Sequence, residues 1–435
     1  MSSQLIGLFG FLGLFAMMGL GVPVGVAMLI AGLAGTVILS GWTTAAYTLS
    51  GQAFATTSYY ELSVLPLFIL MGNLAAVSGL SRDLYEAAYR WIGHVRGGLA
   101  GATILGCAGF AALSGSSIAS AVTMGRVAYP NMRRYGYGGR LSTGAIAAGG
   151  TLGILIPPST GFVLYAILTE QSIGRLFIAG VLPGLMLTTL FLVTIAIVVR
   201  LRPAEGPPGP RFGLGERMRA TSRAGGIVAI IGVTIGGIYS GFFTPVEAAG
   251  VGASLAALVY LARGHLSLAS LRGVFGETLR TTGMTFLILI GAGVFSPFIA
   301  LSGLPSAAAS TFTGWGLGPY GTLLVILVFY AIAGMVIEGL SLMVITLPIT
   351  FPVVLALGFD PIWFGVIMVI VLEMGLISPP VGVNCFVVST IARDVRLETI
   401  FAGVMPFWAA MAVAMGLLVV FPEIALTLPN AMFAR

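Results

Sequence analysis

Apolar runs of about 15–20 residues follow one another along nearly the whole chain, separated by short polar or arginine-bearing stretches. Each run approaches the length a helix needs to cross a hydrocarbon core ~30 Å thick. Runs near 5–20 and 24–40 predict a first helix pair joined at Gly21-Val22-Pro23, and a third helix is predicted near 61–79. Further spans are predicted at 141–169, 176–199, 224–241, 248–262, 281–300, 362–392 and 398–420. Two of them are interrupted, at Ile156-Pro157-Pro158-Ser159 and at Ser378-Pro379-Pro380. The stretch 82–94 is different: Arg82, Glu86, Arg90 and His94 stand four apart and form one charged stripe. It predicts a helix lying along the inner interface, with 305–315 as its outer counterpart.

The polar positions orient these elements. All 20 basic residues are Arg, and all but Arg175 and Arg435 fall into five clusters, at 82–96, 126–140, 200–223, 263–280 and 393–396. Positive segments resist translocation, so the clusters mark the cytoplasmic side, and the polar, Pro- and Arg-rich stretch 200–223 is predicted as a cytoplasmic loop. The apolar stretch 97–125 has an Arg cluster on each flank. It therefore predicts a re-entrant hairpin broken at Ser114-Gly115-Ser116-Ser117. From Thr281 to Ala392 there is no basic residue, which predicts external elements and a second hairpin near 320–357. The expectation is an all-α polytopic membrane protein with about ten spans, two hairpins and both termini outside.

Composition narrows the class. Hydrophobic residues make up 58% and charged residues 8%, where a soluble chain carries roughly 25% charged. Many of the 62 Gly and 22 Pro lie inside apolar runs, as transmembrane helices allow. The net charge of +6 sits between spans, with no nucleic-acid motif beside it. No cleavable signal peptide is expected, because the N-terminus lacks a basic n-region. Cys107 and Cys385 read as small buried apolar residues, and no metal-binding spacing is present.

An internal repeat carries the functional reading. At an offset of 222, Pro130 falls on Pro352, Gly136 on Gly358, Gly153 on Gly375, Pro157 on Pro379 and Pro158 on Pro380. Gly180 and Pro183 match Gly403 and Pro406 with one residue of slippage; Ser78-Gly79-Leu80 and Trp91 match Ser302-Gly303-Leu304 and Trp315. The arginine map opens the two hairpins to opposite sides, so the repeats are inverted. Inverted repeats with paired broken helices point to a secondary transporter. A broken helix exposes carbonyls, which suit Na+, and N–H groups, which suit a carboxylate. The first tip offers Ser114, Gly115, Ser116, Ser117 and Ser120; the second offers Glu338, Gly339 and Ser341, with Thr346 further on. The crossing breaks add Thr151, Pro157, Pro158, Ser159 and Thr160, and Ser378, Pro379, Pro380, Gly382 and Asn384. Glu338 and Glu373 are acids inside apolar segments and so count as candidates for function. Glu247 reads as a helix cap, and His94 and His265 as solvated.

The phrases Gly149-Gly-Thr-Leu-Gly-Ile-Leu-Ile-Pro-Pro-Ser159, Phe243-Thr-Pro-Val-Glu-Ala-Ala249 and Ile377-Ser-Pro-Pro-Val-Gly-Val-Asn384 resemble the large membrane subunit of tripartite ATP-independent periplasmic (TRAP) transporters. The resemblance covers essentially the whole chain. It implies a Na+-coupled symporter of organic acids such as C4-dicarboxylates or sialic acid, in a bacterial inner membrane. Its implied partners are a periplasmic substrate-binding protein and a small four-helix membrane subunit, expected here as a separate chain. It implies no cofactor besides Na+ as coupling ion, and an elevator motion of hairpins and broken helices against a scaffold. On this chain the Na+ residues would be Ser114, Gly115, Ser116, Ser117, Thr151, Pro157, Glu338, Gly339, Ser341, Ser378, Pro379 and Gly382. The substrate residues would be Ser120, Pro158, Ser159, Thr160, Thr346, Pro380 and Asn384. The domain division would be scaffold at 1–96, transport halves at 97–170 and 319–392, and scaffold again at 171–318 and 393–435. The competing readings are a carrier without a binding protein, told apart by the neighbouring genes, and an ion channel, told apart by unsaturable conductance. A membrane enzyme is disfavoured, since the sequence has no His-Glu-x-x-His or Gly-Asp motif.

Overall fold

A charge-free apolar run inside a bilayer must satisfy its own backbone, and an isolated segment can do so only as a helix. The computed structural model describes residues 2–264, 267–314 and 316–433, and every regular element among them is helical. Trp315, His265 and Arg435 lie outside the described residues. The opening pair is α1 (Ser3–Gly19) and α2 (Val24–Ser40). A helix that the sequence did not predict, α3 (Trp42–Ser58), follows. Its polar hydroxyls obscure the apolar signal. Thr48, Ser50 and Thr57 donate back to carbonyls of α3, which lets them stay in a helix, and Thr44 donates to Ser40 O at the end of α2. Next come α4 (Val64–Val77) and the amphipathic α5 (Leu80–Ile92).

The first hairpin is α6 (Gly98–Ser114) and α7 (Ser117–Arg134), parted at Gly115-Ser116. The first broken helix is α8 (Gly139–Leu155) and α9 (Thr160–Thr169), and α10 (Ile173–Leu201) is a single 29-residue helix. The stretch 200–223, predicted as a loop, contains α11 (Leu214–Arg223). It meets α12 (Gly225–Tyr239) at a 50° bend. α13 (Pro245–Ala262) opens with the predicted cap, where Glu247 Oε2 accepts from Thr244 N at 2.8 Å. Then follow α14 (Leu268–Ser302), α15 (Leu304–Gly314), and the second hairpin, α16 (Gly318–Ala333) and α17 (Gly339–Ala356). The second broken helix is α18 (Pro361–Leu376) and α19 (Val383–Ile391). α20 (Leu397–Val420) and an unpredicted α21 (Glu423–Phe433) end the chain.

This is a multi-pass membrane protein. Among the described residues, seven helices are long and apolar enough to cross a bilayer, or eight with α11–α12 counted as one bent span. The sequence predicts about ten because it also counts shorter apolar helices such as α1 and α2, each of 17 residues. The order short helix, hairpin, broken helix, long helix occurs twice, from α5 to α10 and from α15 to α20.

Glycine positions set the closest approaches, because a missing side chain lets backbones meet. In one group α2 packs on α14, and α4 on α13 and α14. In the other, α6 and α7 cover α8, α16 and α17 cover α18, and α19 lies on α7 and α8. α10 and α20 join this second group, although the sequence division assigns both to the scaffold. A Cβ on Gly144 would lie 2.6 Å from the Gly403 carbonyl carbon, and one on Gly180 would lie 2.9 Å from Leu155 O. The segment before α11 ties down the open end of the first hairpin. Gly97 N donates to Gly206 O at 2.9 Å, Gly209 N to Gly93 O at 2.9 Å, and Gly138 N to Glu205 O at 3.0 Å.

Candidate ion and substrate site at the helix breaks

Proline chemistry makes the first break. Pro157 and Pro158 have no N–H to return to the carbonyls of Gly153 and Ile154, so α8 stops with free oxygens at its end. Ser159 restarts the helix, its Oγ accepting from Phe162 N at 3.3 Å. The second break repeats the device with Pro379 and Pro380, and both Pro-Pro bonds are cis. The hairpin tip is made by glycine: Gly115 has φ +57°, which ends α6, and Ser116 then caps α7 by accepting from Ala119 N at 3.4 Å.

The tip and the break touch. Gly115 O accepts from Thr160 Oγ1 at 2.8 Å and from Thr160 N at 3.4 Å, and a Cβ on Gly115 would stand 3.0 Å from Pro158 O. Carbonyls of the tip face the glycine side of α8. A Cβ on Gly150 would lie 3.0 Å from Ser117 O, and one on Gly153 would lie 2.7 Å from the Ser116 carbonyl carbon. Ser114 and Ser120 pair through their hydroxyls at 2.8 Å.

Two side chains from the second half reach into this region. Asn384, at the start of α19, is fully buried; its Nδ2 donates to Ala147 O at 3.4 Å and lies 3.3 Å from a Cβ on Gly150. Its Oδ1 is buried with no hydrogen-bond partner. A buried polar atom without a partner is costly, so Asn384 Oδ1 is an acceptor open to a ligand. Glu373 of α18 is 2% exposed, and its Oε2 accepts from Ser117 Oγ at 2.7 Å. The resemblance implies that each tip meets its adjacent broken helix. In the structure each tip also meets the other half's. A small pocket of about 10 Å³ is lined by Glu338 and Gly339 of the second tip, by Leu372 and Glu373, and by Ile154 and Gly161 of the first broken helix.

Several predicted residues are occupied otherwise. Thr151 donates to Ala148 O at 2.6 Å and Ser378 to Met374 O at 2.6 Å, both within their own helices. Glu338 is the cap of α17, accepting from Leu340 N at 3.1 Å, Ser341 N at 2.9 Å and Ser341 Oγ at 2.9 Å. Thr346 lies inside the second hairpin against Tyr330, at 2.6 Å, and not at a break. Gly382 takes the left-handed turn before α19, with φ +53°. The sequence did not single out Tyr330, Ala147 or Gly150; the Gly149-Gly150-x-x-Gly153 spacing was the available signal for the last. His94 was predicted to be solvated, but its Nδ1 is buried without a partner.

A second surface of the break faces the other packing group. Pro157 and Pro158 meet Phe68 of α4, Phe177 of α10, and Thr234, Ile235, Ile238 and Tyr239 of α12, with no room for a water between them. The seam between the groups is therefore aliphatic and aromatic at this point, with Thr234 Oγ1 turned back to Ile230 O at 2.7 Å.

Comparison with known proteins decides the family. Residues 11–424 match the family described as the tripartite ATP-independent periplasmic transporter, DctM component. The chain belongs to this family. It is 40% identical over 384 residues to a C4-dicarboxylate TRAP transporter large permease of Pseudomonas aeruginosa, covering 88% of this chain and 89% of that one. It is 31% identical over 425 residues to a sialic acid TRAP transporter large permease of Vibrio cholerae, covering 97% of each. An ectoine TRAP transporter large permease of Halomonas elongata is 31% identical over 415 residues, covering 95% and 96%. The fold resembles the YdaH transporter of Alcanivorax borkumensis, with a TM-score of 0.66, 16% identity, and coverage of 92% and 98%. The TRAP large permeases are transport proteins, not enzymes, and the present chain is one of them.

Proposed function

We propose that this TRAP large permease is the translocating subunit of a Na+-coupled importer of a small organic acid in a bacterial cytoplasmic membrane. A periplasmic binding protein delivers the acid, and a small membrane subunit completes the complex. Relatives named for C4-dicarboxylates and sialic acid support an organic acid as cargo. The observation that supports the ion reading is the unpartnered, buried Oδ1 of Asn384, whose amide group and Ser117 O both approach Gly150. Na+ takes oxygen ligands, and Asn384 Oδ1 offers one with no hydrogen-bond donor competing for it. The N-terminal ends of α9 and α19, with their helix dipoles, suit the substrate carboxylate.

The two sets of elements, α5–α10 and α15–α20, act as opposed repeats. The hairpins, the broken helices, α10 and α20 move together as an elevator, sliding along the apolar seam against α4 and α12. An apolar seam supports this because sliding then breaks no hydrogen bond or ion pair there. The test is uptake of radiolabelled succinate and sialic acid into proteoliposomes holding the chain, the small subunit and the binding protein encoded beside it. Uptake of one of them should need both an inward Na+ gradient and the binding protein. Equal uptake without Na+, or without the binding protein, would contradict the proposal.

A further inference from the structure

The helix in the loop between the two halves has an exposed face that transport does not use. α11 is held on one side by α5. Trp91 Nε1 donates to Thr221 Oγ1 at 2.9 Å, the Arg217 guanidinium lies 5.6 Å from the Trp91 ring centre, and Ala220 and Ala224 pack on Ala87. The rest of the helix faces outward. Leu214 and Met218, four residues apart, are 69% and 56% exposed. Arg219 and Arg223 are also exposed and four apart, and Arg211 precedes them. None of these three arginines is in a salt bridge among the described residues.

Location decides what this face meets. α11 is joined to α12 through Ala224 alone, at a 50° bend, and α12 is apolar with Val228 61% exposed. If α12 enters the bilayer, α11 must leave it at the headgroup level. A short helix with apolar residues on one stripe and arginines on another is built for that plane. We propose that α11 is an anchor on the bilayer surface, with Leu214 and Met218 in the acyl boundary and Arg211, Arg219 and Arg223 on the phosphates of anionic phospholipids. This rests on the reading of α12 as membrane-spanning. The anchor fixes α5, and through the Gly206 and Gly209 hydrogen bonds it fixes the open end of the first hairpin.

The test uses the full chain, spin-labelled at Met218→Cys or at Val228→Cys, with both native cysteines buried. Its depth is read by oxygen and nickel-chelate accessibility in vesicles of phosphatidylcholine with or without phosphatidylglycerol. The label at 218 should sit at headgroup depth with phosphatidylglycerol and move toward water without it, or in the R219Q/R223Q variant. Each arginine should account for about fivefold in partitioning. A label at 218 in water under all conditions, with 228 in the acyl region, overturns the anchor alone. A depth indifferent to phosphatidylglycerol and to R219Q/R223Q overturns the anionic preference. Water at both positions overturns the membrane reading of α12 as well.

Discussion

Asn384 and Ser117 carry different loads at the same junction. Ser117 gives Glu373 its hydrogen bond in a site 2% exposed. Ser117→Ala leaves that carboxyl without a donor, and a buried group so orphaned costs about 1–3 kcal/mol. Thermal unfolding of the purified chain should fall accordingly, with Ser117→Thr close to wild type; an unchanged midpoint for Ser117→Ala would contradict the contact. Gly115 bears a conformational load instead. Its φ of +57° costs an L-residue about 1–2 kcal/mol, so Gly115→Ala should also destabilise, with Pro158 O 3.0 Å away adding to the effect. These residues show what was legible in the sequence. The serines, glycines and Pro-Pro pairs announced where the backbone breaks. Which oxygen meets which partner was not legible, since Asn384–Ala147 and Ser117–Glu373 join positions more than two hundred apart.

At the level of elements, helix breaks stand at Gly115-Ser116 and at both Pro-Pro pairs, because Pro and Gly mark backbone interruptions directly; the matched phrases point to these places. They did not locate α3, where hydroxyls dilute the apolar run, or α11, where arginines make a helix look like a loop. Elements also meet outside the breaks. Asp394, between α19 and α20, accepts from the Tyr129 hydroxyl of α7 and pairs with Arg133 Nη2 at 2.8 Å. The Tyr129 hydrogen bond and the Arg133 charge hold its carboxyl below the usual range. A depressed carboxyl contributes stability above its unfolded value and loses it as pH falls through the folded one. The stability difference between wild type and Asp394→Asn should therefore be full at neutral pH and vanish only below the ordinary aspartate range. A difference already gone at mildly acid pH would contradict the pairing.

For the whole molecule, the account requires two groups that move past each other and an ion that licenses the movement. Phe68 of α4 and Phe177 of α10 meet across the seam, with ring centres 6.0 Å apart. Bridging Phe68→Cys/Phe177→Cys with a short bifunctional thiol reagent should stop uptake, and cleaving the bridge should restore it; full uptake while bridged would exclude sliding at this seam. The ion itself is tested most directly by binding of radiolabelled Na+ to the purified chain, wild type against Asn384→Ala. Losing one ligand to a charged group should weaken saturable Na+ binding by roughly tenfold or more, with the helical content and unfolding midpoint monitored alongside. Equal Na+ affinity in a folded Asn384→Ala chain would contradict the site at the junction of the first tip and the second broken helix.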